Sequence, residues 1–235
     1  TEDLDQEVVT SLNQLAEDIE HTAFDAPDGF EGLVQFQNFG LHKHPKETWK
    51  PRANGDKILA IAPFVSVEAL RTLKTVTGEE DGILISRQEA LDKIPESVLR
   101  DWSHKYILSD MATDTESEDE QEQERPSGLH AKMIAIEHGN AVTWWVGSAN
   151  LTRAAFTGSN VEIMAEITGK RGSPKEKTGV GITHFKESGF LNMCQEYEGR
   201  ERTEQEQEVT DAINRLEKVH RQIVHADMHI CCKPN

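Results

Sequence analysis

The sequence predicts an α/β fold, a mixed, largely parallel sheet flanked by helices. Three observations carry this prediction. Between residues 56 and 109, apolar runs of strand length alternate with helical stripes, and this β-α-β-α-β rhythm calls for a sheet covered by helices. Further strand-length runs follow at 129–137, 142–146 and 161–168. No window of the 235 residues approaches eighteen apolar residues, which excludes a transmembrane helix.

Each element has its own signal. Leu4, Val8, Leu12, Leu15 and Ile19 repeat at helical spacing, so residues 4–19 are predicted helical. Residues 22–55, rich in Gly, Pro, His and Asn, read as irregular. Residues 56–65 form a nearly continuous apolar run, and 67–76 carry Ala69, Leu70 and Leu73 on a helical stripe, giving a strand and then a helix. Residues 82–86 make a second strand, 89–102 a second helix and 105–109 a third strand. Residues 113–128 lack apolar side chains and are read as a solvated loop, with an electrostatic gate or a DNA mimic as the functional alternative. His138-Gly139-Asn140 turns the strand 129–137 into the strand 142–146. Val161, Ile163, Ala165 and Ile167 alternate along 161–168. Residues 182–197 read as helical. A last helix over 203–225 aligns Val209, Ala212, Ile213, Leu216, Val219 and Ile223.

Charge narrows the functional classes. Lys and Arg number 25 against 42 Asp and Glu, a net charge of −17. A field of that sign does not draw in DNA, so any nucleic-acid site must be a local basic patch. Seven of the acids lie within residues 114–124. The N-terminus is acidic and polar, without a signal-peptide pattern. The three cysteines, Cys194, Cys231 and Cys232, do not make a disulfide framework, and both features point to a cytoplasmic protein.

One constellation carries chemistry: His130-Ala131-Lys132, then Glu137, then Gly147-Ser148-Ala149-Asn150, then Asn160-Val161-Glu162. Side chains alternate along a strand, so His130 pairs in direction with Lys132, and Ser148 with Asn150. Two strands joined by a tight turn bring both pairs to one sheet edge. That edge offers an imidazole, an ammonium, a hydroxyl and a carboxamide, the groups needed to hold a phosphate and attack it. Lys132 and Asn150 suit the oxygens that gain charge in the transition state, and His130 suits the nucleophile. The second ring nitrogen of His130 needs an acceptor, for which Glu162 is the candidate on an adjacent strand.

This pattern of H-x-K, an acid five residues on, G-S-x-N and N-x-E resembles the HKD motif of the phospholipase D superfamily over residues 129–169. The segment 56–73 is similar, more loosely, to the first strand–helix unit of that fold. The resemblance implies a two-step, metal-independent phosphodiester hydrolysis with no cofactor. One HKD histidine attacks phosphorus to give a phosphohistidine, while a second HKD histidine protonates the leaving group and then activates water. The family's acid is usually Asp, whereas here it is Glu137, which by alternation faces away from His130 and is read as structural. The 235 residues carry one complete motif. The second is expected from a homodimer with facing motifs, or from a second half of a longer chain. The absent initiator Met and the abrupt end at residues 231–235 favour the latter.

The substrate expected is a nucleic-acid phosphodiester. A phospholipase or phosphatidyltransferase is the alternative, and a non-catalytic phosphate- or DNA-binding module of a larger protein is the alternative of another class. Arg153, Lys170 and Arg171 are candidate substrate-binding residues; with Lys175 and Lys177 the latter two make the one local basic cluster, read either as a phosphate contact or as a solvated loop. Arg153 reads either as a donor at the site or as the exposed face of a short helix. His44-Pro45-Lys46 also reads H-x-K, but no G-S-x-N follows it. His220, His225, His229, Cys231 and Cys232 are metal-ligating types without a matching spacing, so no metal site is assigned. Trp144 and Trp145 face opposite sides of the sheet and are read as core packing, with base stacking as the functional alternative. The domain organisation expected is a lead-in over 1–55, the catalytic domain over 56–200 with the acidic loop 113–128, and a C-terminal helix over 201–235.

Overall fold

The structure, a computed structural model, describes residues 6–41, 48–52, 54–77, 81–108, 129–172, 179–199, 215, 216 and 219. The chain forms two compact units, Thr1–Tyr197 and Glu198–Asn235. In the second, Arg215, Leu216 and Val219 are helical, and the rest of the predicted helix 203–225 lies outside the described residues. So do the acidic stretch 113–128, His44 and Lys46, Lys175 and Lys177, and the histidine–cysteine group at 220–232.

In the first unit, the described strands form one eight-stranded mixed sheet flanked by helices. The strands are β1 (Phe30–Phe39), β2 (Lys57–Ile61), β3 (Gly82–Ser86), β4 (His104–Leu108), β5 (Met133–His138), β6 (Ala141–Gly147), β7 (Glu162–Lys170) and β8 (Cys194–Glu196). Their spatial order is β1-β7-β6-β5-β2-β3-β4-β8. Only β2–β3 and β3–β4 pair in parallel; the other neighbours are antiparallel. The expectation of a largely parallel sheet is therefore corrected. A parallel pair needs a crossover connection, which α2 (Val67–Thr77) and the short helices α3 (Gln88–Leu91) and α4 (Glu96–Leu99) supply. The strands after 129 begin with a tight hairpin, which can only be antiparallel.

Strands β2 and β3 are apolar on both sides because both faces are covered. Ile58, Ala60, Leu84, Ile134, Ile136 and Trp145 pack on one face with Leu70 and Leu73 of α2 and with Phe156 of α5 (Arg153–Phe156). Leu59, Ile61, Ile83, Ile85, Ala135 and Trp144 pack on the other, under Ile182 and Phe185 of α6 (Ile182–Glu187). Both tryptophans are buried, on opposite faces, with their indole N–H groups donating to Glu166 and to the Val180 carbonyl.

Several boundaries differ from the sequence reading. The strand expected over 129–137 begins only at Met133, and β6 ends at Gly147, so His130 and Lys132 precede β5 and Ser148 and Asn150 follow β6, outside the alternation expected of them. Residues 22–55 are not wholly irregular, since β1 pairs along β7 with a register shift between Glu31 and Gln35. The helix predicted over 89–102 is divided at Pro95, which lacks an N–H and disfavours helical geometry before it. The helix predicted over 182–197 stops at α6, because Gly189 takes a left-handed φ of 87°, and a 3-10 turn (Phe190–Met193) then leads into β8. At the N-terminus, α1 (Gln6–Glu20) carries the predicted apolar stripe, but none of its residues is buried. Among the described residues no helix is long and apolar enough to cross a membrane.

Candidate active site

The β5–β6 hairpin sets the site. Its turn is Gly139-Asn140, with Gly139 at φ 60°, the left-handed conformation that two-residue hairpin turns require. From His138↔Ala141 the ladder runs to Met133↔Val146 at the open end. There Gly147 N donates to Lys132 O at 3.2 Å. The residues leading into β5, His130 and Lys132, thus emerge beside the residues leaving β6, Ser148 and Asn150. Beyond Asn150 the chain crosses to the exit of β2, where Leu151 bridges Val65 and Ser66 N donates to Leu151 O at 2.8 Å. Ser66 Oγ then accepts from Ala69 N of α2 at 3.3 Å and from Arg153 N of α5 at 3.0 Å, fixing both helix starts at this end of the sheet.

The side chains are disposed unevenly. His130 and Ser148 are exposed. Lys132 Nζ donates to the His130 carbonyl at 2.8 Å, folding its cation back over the motif. The Asn150 Oδ1 atom is buried without a hydrogen-bond partner among the described residues. Ser148 Oγ donates to Glu162 Oε2 at 2.5 Å and accepts from Ile163 N at 3.0 Å. Asn160 Nδ2 donates to Glu162 Oε1 at 3.4 Å.

Glu162 was expected to accept from His130, but its carboxylate is held by Ser148 and Asn160, and no hydrogen bond reaches the His130 ring among the described residues. Strand order gives the reason. β6 lies between β5 and β7, so Glu162 stands two strands from the His130 segment, a backbone separation of roughly 10 Å. Ser148, directly across from the start of β7, is the nearer donor.

Lys170 and Arg171, the expected substrate-binding residues, stand at the opposite end of β7 from the motif. Glu162 opens β7 and Lys170 closes it, about 25 Å apart at the usual rise per strand residue. At that far end Lys170 Nζ lies 3.3 Å from Glu31. Arg171 Nε lies 3.0 Å from Oε2 of the fully buried Glu137, an ion pair not aligned as a hydrogen bond. Glu137 Oε1 also accepts from Ile182 N at 2.7 Å, so this acid anchors α6 rather than serving the site. Arg171→Ala leaves a buried carboxylate without its cation. It should lower unfolding free energy by about 3 kcal/mol, the low end for a broken buried pair because Arg171 is 36% exposed, as urea denaturation would read.

Sequence reasoning passed over two residues at the site end, Phe64 and Arg87. Arg87 Nη2 donates to the Leu129 carbonyl at 3.1 Å, immediately before His130. The available signal was position: Arg87 directly follows a parallel strand, and the ends of such strands are where α/β sites collect. Burial pushes the Cys194 thiol above its usual range, away from the reactive thiolate. Among the described residues, no group of three or more His, Cys, Asp or Glu side chains is arranged to hold a metal ion.

Gly147 is required by close approach. A Cβ there would collide with the Ile163 carbonyl and come within 2.9 Å of Met164 Cα, where β6 and β7 meet. Gly147→Ala should push the strands apart beside Ser148, with a cost of about 1–3 kcal/mol by the usual penalty for overpacking. A thermal melt of this variant equal to that of the unaltered chain would contradict the described contact.

The solved structures similar to this chain include two proteins named Nuc and NucT. One is the phospholipase D family member Nuc from Salmonella typhimurium, at 16% identity and a TM-score of 0.35, covering 62% of this chain and 84% of that one. The other is NucT from Helicobacter pylori, at 15% identity and a TM-score of 0.39, covering 60% of this chain and 82% of that one. No family model and no curated protein matches the chain.

Proposed function

We propose that this chain is a phospholipase D-type phosphodiesterase that hydrolyses nucleic acid through a phosphohistidine on His130. The observation that carries the reading is the meeting of H-x-K and G-S-x-N at the open end of one hairpin. In the proposed mechanism a ring nitrogen of His130 attacks phosphorus, and the P–O bond to the leaving strand breaks. The leaving oxygen takes a proton from a second histidine, and water activated by that histidine then cleaves the P–N bond. Lys132 and Asn150 stabilise the phosphoryl oxygens, for which Asn150 supplies donors from its amide nitrogen. The serine hydroxyl and the Glu162 carboxylate, bonded to each other, hold the exit of β6 against β7 and so fix where Asn150 points. Arg153, at the start of α5, is a further cation for the substrate backbone.

The charge stabilisers in this reading are an ammonium and a carboxamide, so cleavage should survive chelation. Metal nucleases instead gather carboxylates around their ions, and of the motif's two, Glu137 anchors α6 and Glu162 is held by Ser148 and Asn160. The test is cleavage of a single-stranded oligonucleotide and of a phosphatidylcholine substrate, each with and without EDTA. Oligonucleotide cleavage unaffected by EDTA supports the proposal. Activity lost on chelation and restored by magnesium would refute the mechanism, and turnover of the lipid alone would move the substrate to the phospholipase alternative.

A further inference from the structure

Two side chains outside the motif meet at the same end of the sheet. Phe64, just past β2, is 52% exposed. The Arg87 guanidinium lies over its ring, 5.3 Å from the centroid. A single exposed phenylalanine is ordinary on a protein surface. What sets this one apart is the cation held over it and its place between the two arms of the motif. Val65, next to Phe64, bridges Leu151, which follows Asn150. Arg87 is tied to the Leu129 carbonyl, which precedes His130.

We infer that Phe64 and Arg87 form a stacking platform for an unpaired base of a single-stranded nucleic acid, beside the phosphate held at His130. The inference rests on the phosphodiesterase reading above and names its substrate as single-stranded. Every base has a π-face, so one aromatic ring accepts any of them without reading sequence. The guanidinium adds a flat cation to the stack and a positive charge for the backbone phosphates of a ligand that the chain's overall charge of −17 repels. A duplex keeps its bases inside the stack, so the platform favours an open strand. A membrane is the poorer occupant, because inserting the ring would bring the Arg87 cation over it towards hydrocarbon, which is costly.

The test uses the full chain carrying His130→Ala, so that the strand is bound and not cut. Fluorescence anisotropy compares oligothymidylate with a strand of equal length whose central units are abasic. The intact strand should bind about 5- to 150-fold more tightly, the equivalent of ~1–3 kcal/mol for one stacked base. Adding Phe64→Ala should collapse that ratio to about one, whereas Phe64→Trp should keep it. Equal binding of the two strands, or a ratio that survives Phe64→Ala, would overturn the platform. So would a Phe64→Ala effect on phosphatidylcholine vesicles with none on the strands. Cleavage by the unaltered chain is read separately. No cleavage with an intact ratio refutes the phosphodiesterase proposal and leaves the platform standing, whereas cleavage with no ratio refutes the platform alone.

Discussion

Replacing His130 by alanine should lower phosphodiester turnover by at least about 10⁴-fold, the upper range of what a single general acid–base group contributes. The loss is expected to be this large because the imidazole is asked to form the covalent bond to phosphorus, and its removal closes the two-step route altogether. The fold should not suffer. His130 is exposed, and no hydrogen bond reaches its ring among the described residues. A surface substitution of that kind changes stability by no more than about 0.5 kcal/mol. Turnover measured beside a denaturant curve therefore separates chemistry from folding. A phosphohistidine trapped on the unaltered chain, labile in acid and absent from His130→Ala, is the direct signature. Near-normal turnover by a well-folded His130→Ala chain would end the assignment.

How far the sequence disclosed this site depends on which interactions placed each residue. The two arms were legible because a short hairpin joins them, and the ends of a hairpin emerge side by side by local turn chemistry; the alternation within each arm did not carry over, since His130 and Lys132 precede β5 and Ser148 and Asn150 follow β6. Glu137 lies within β5, and its hydrogen bond from Ile182 and ion pair with Arg171 show what it anchors. The reach of Glu162 was not legible. Alternation tells which way a carboxylate points but not which strand lies beside it, and β6 turned out to separate β7 from β5. β1 was hidden because its register shift breaks the alternating pattern within a polar stretch. Phe64 and Arg87 come together only through the parallel pairing of β2 with β3, 23 positions apart in sequence, a contact no local pattern encodes. Lys170 and Arg171 show the converse. A basic cluster near the motif in sequence was carried to the other end of the sheet by the nine residues of β7.

The second large effect concerns the proton. In the proposed mechanism one motif supplies the nucleophile, and the acid for the leaving oxygen comes from a second histidine. His138, at the other end of β5 and bonded to Thr143 at 3.0 Å, is at least about 17 Å from the start of that strand. A chain acting alone should therefore be slower by about 10²–10⁴-fold than one whose motif faces a second set. His130 and Ser148 are exposed at the open hairpin end, so a second copy has access to them. If two copies share one site, His130 serves as nucleophile in one and as acid in the other. Mixing equal amounts of active and His130→Ala chains, at fixed total concentration, then leaves about a quarter of the activity, since random pairing makes one active dimer in four. Independent monomers, with no such interface, would retain about half by dilution alone. The measurement is turnover across a series of mixing ratios, with molar mass followed by light scattering. Full-speed turnover by a strict monomer, declining in proportion to dilution, would place the acid elsewhere in the same chain and refute the shared site.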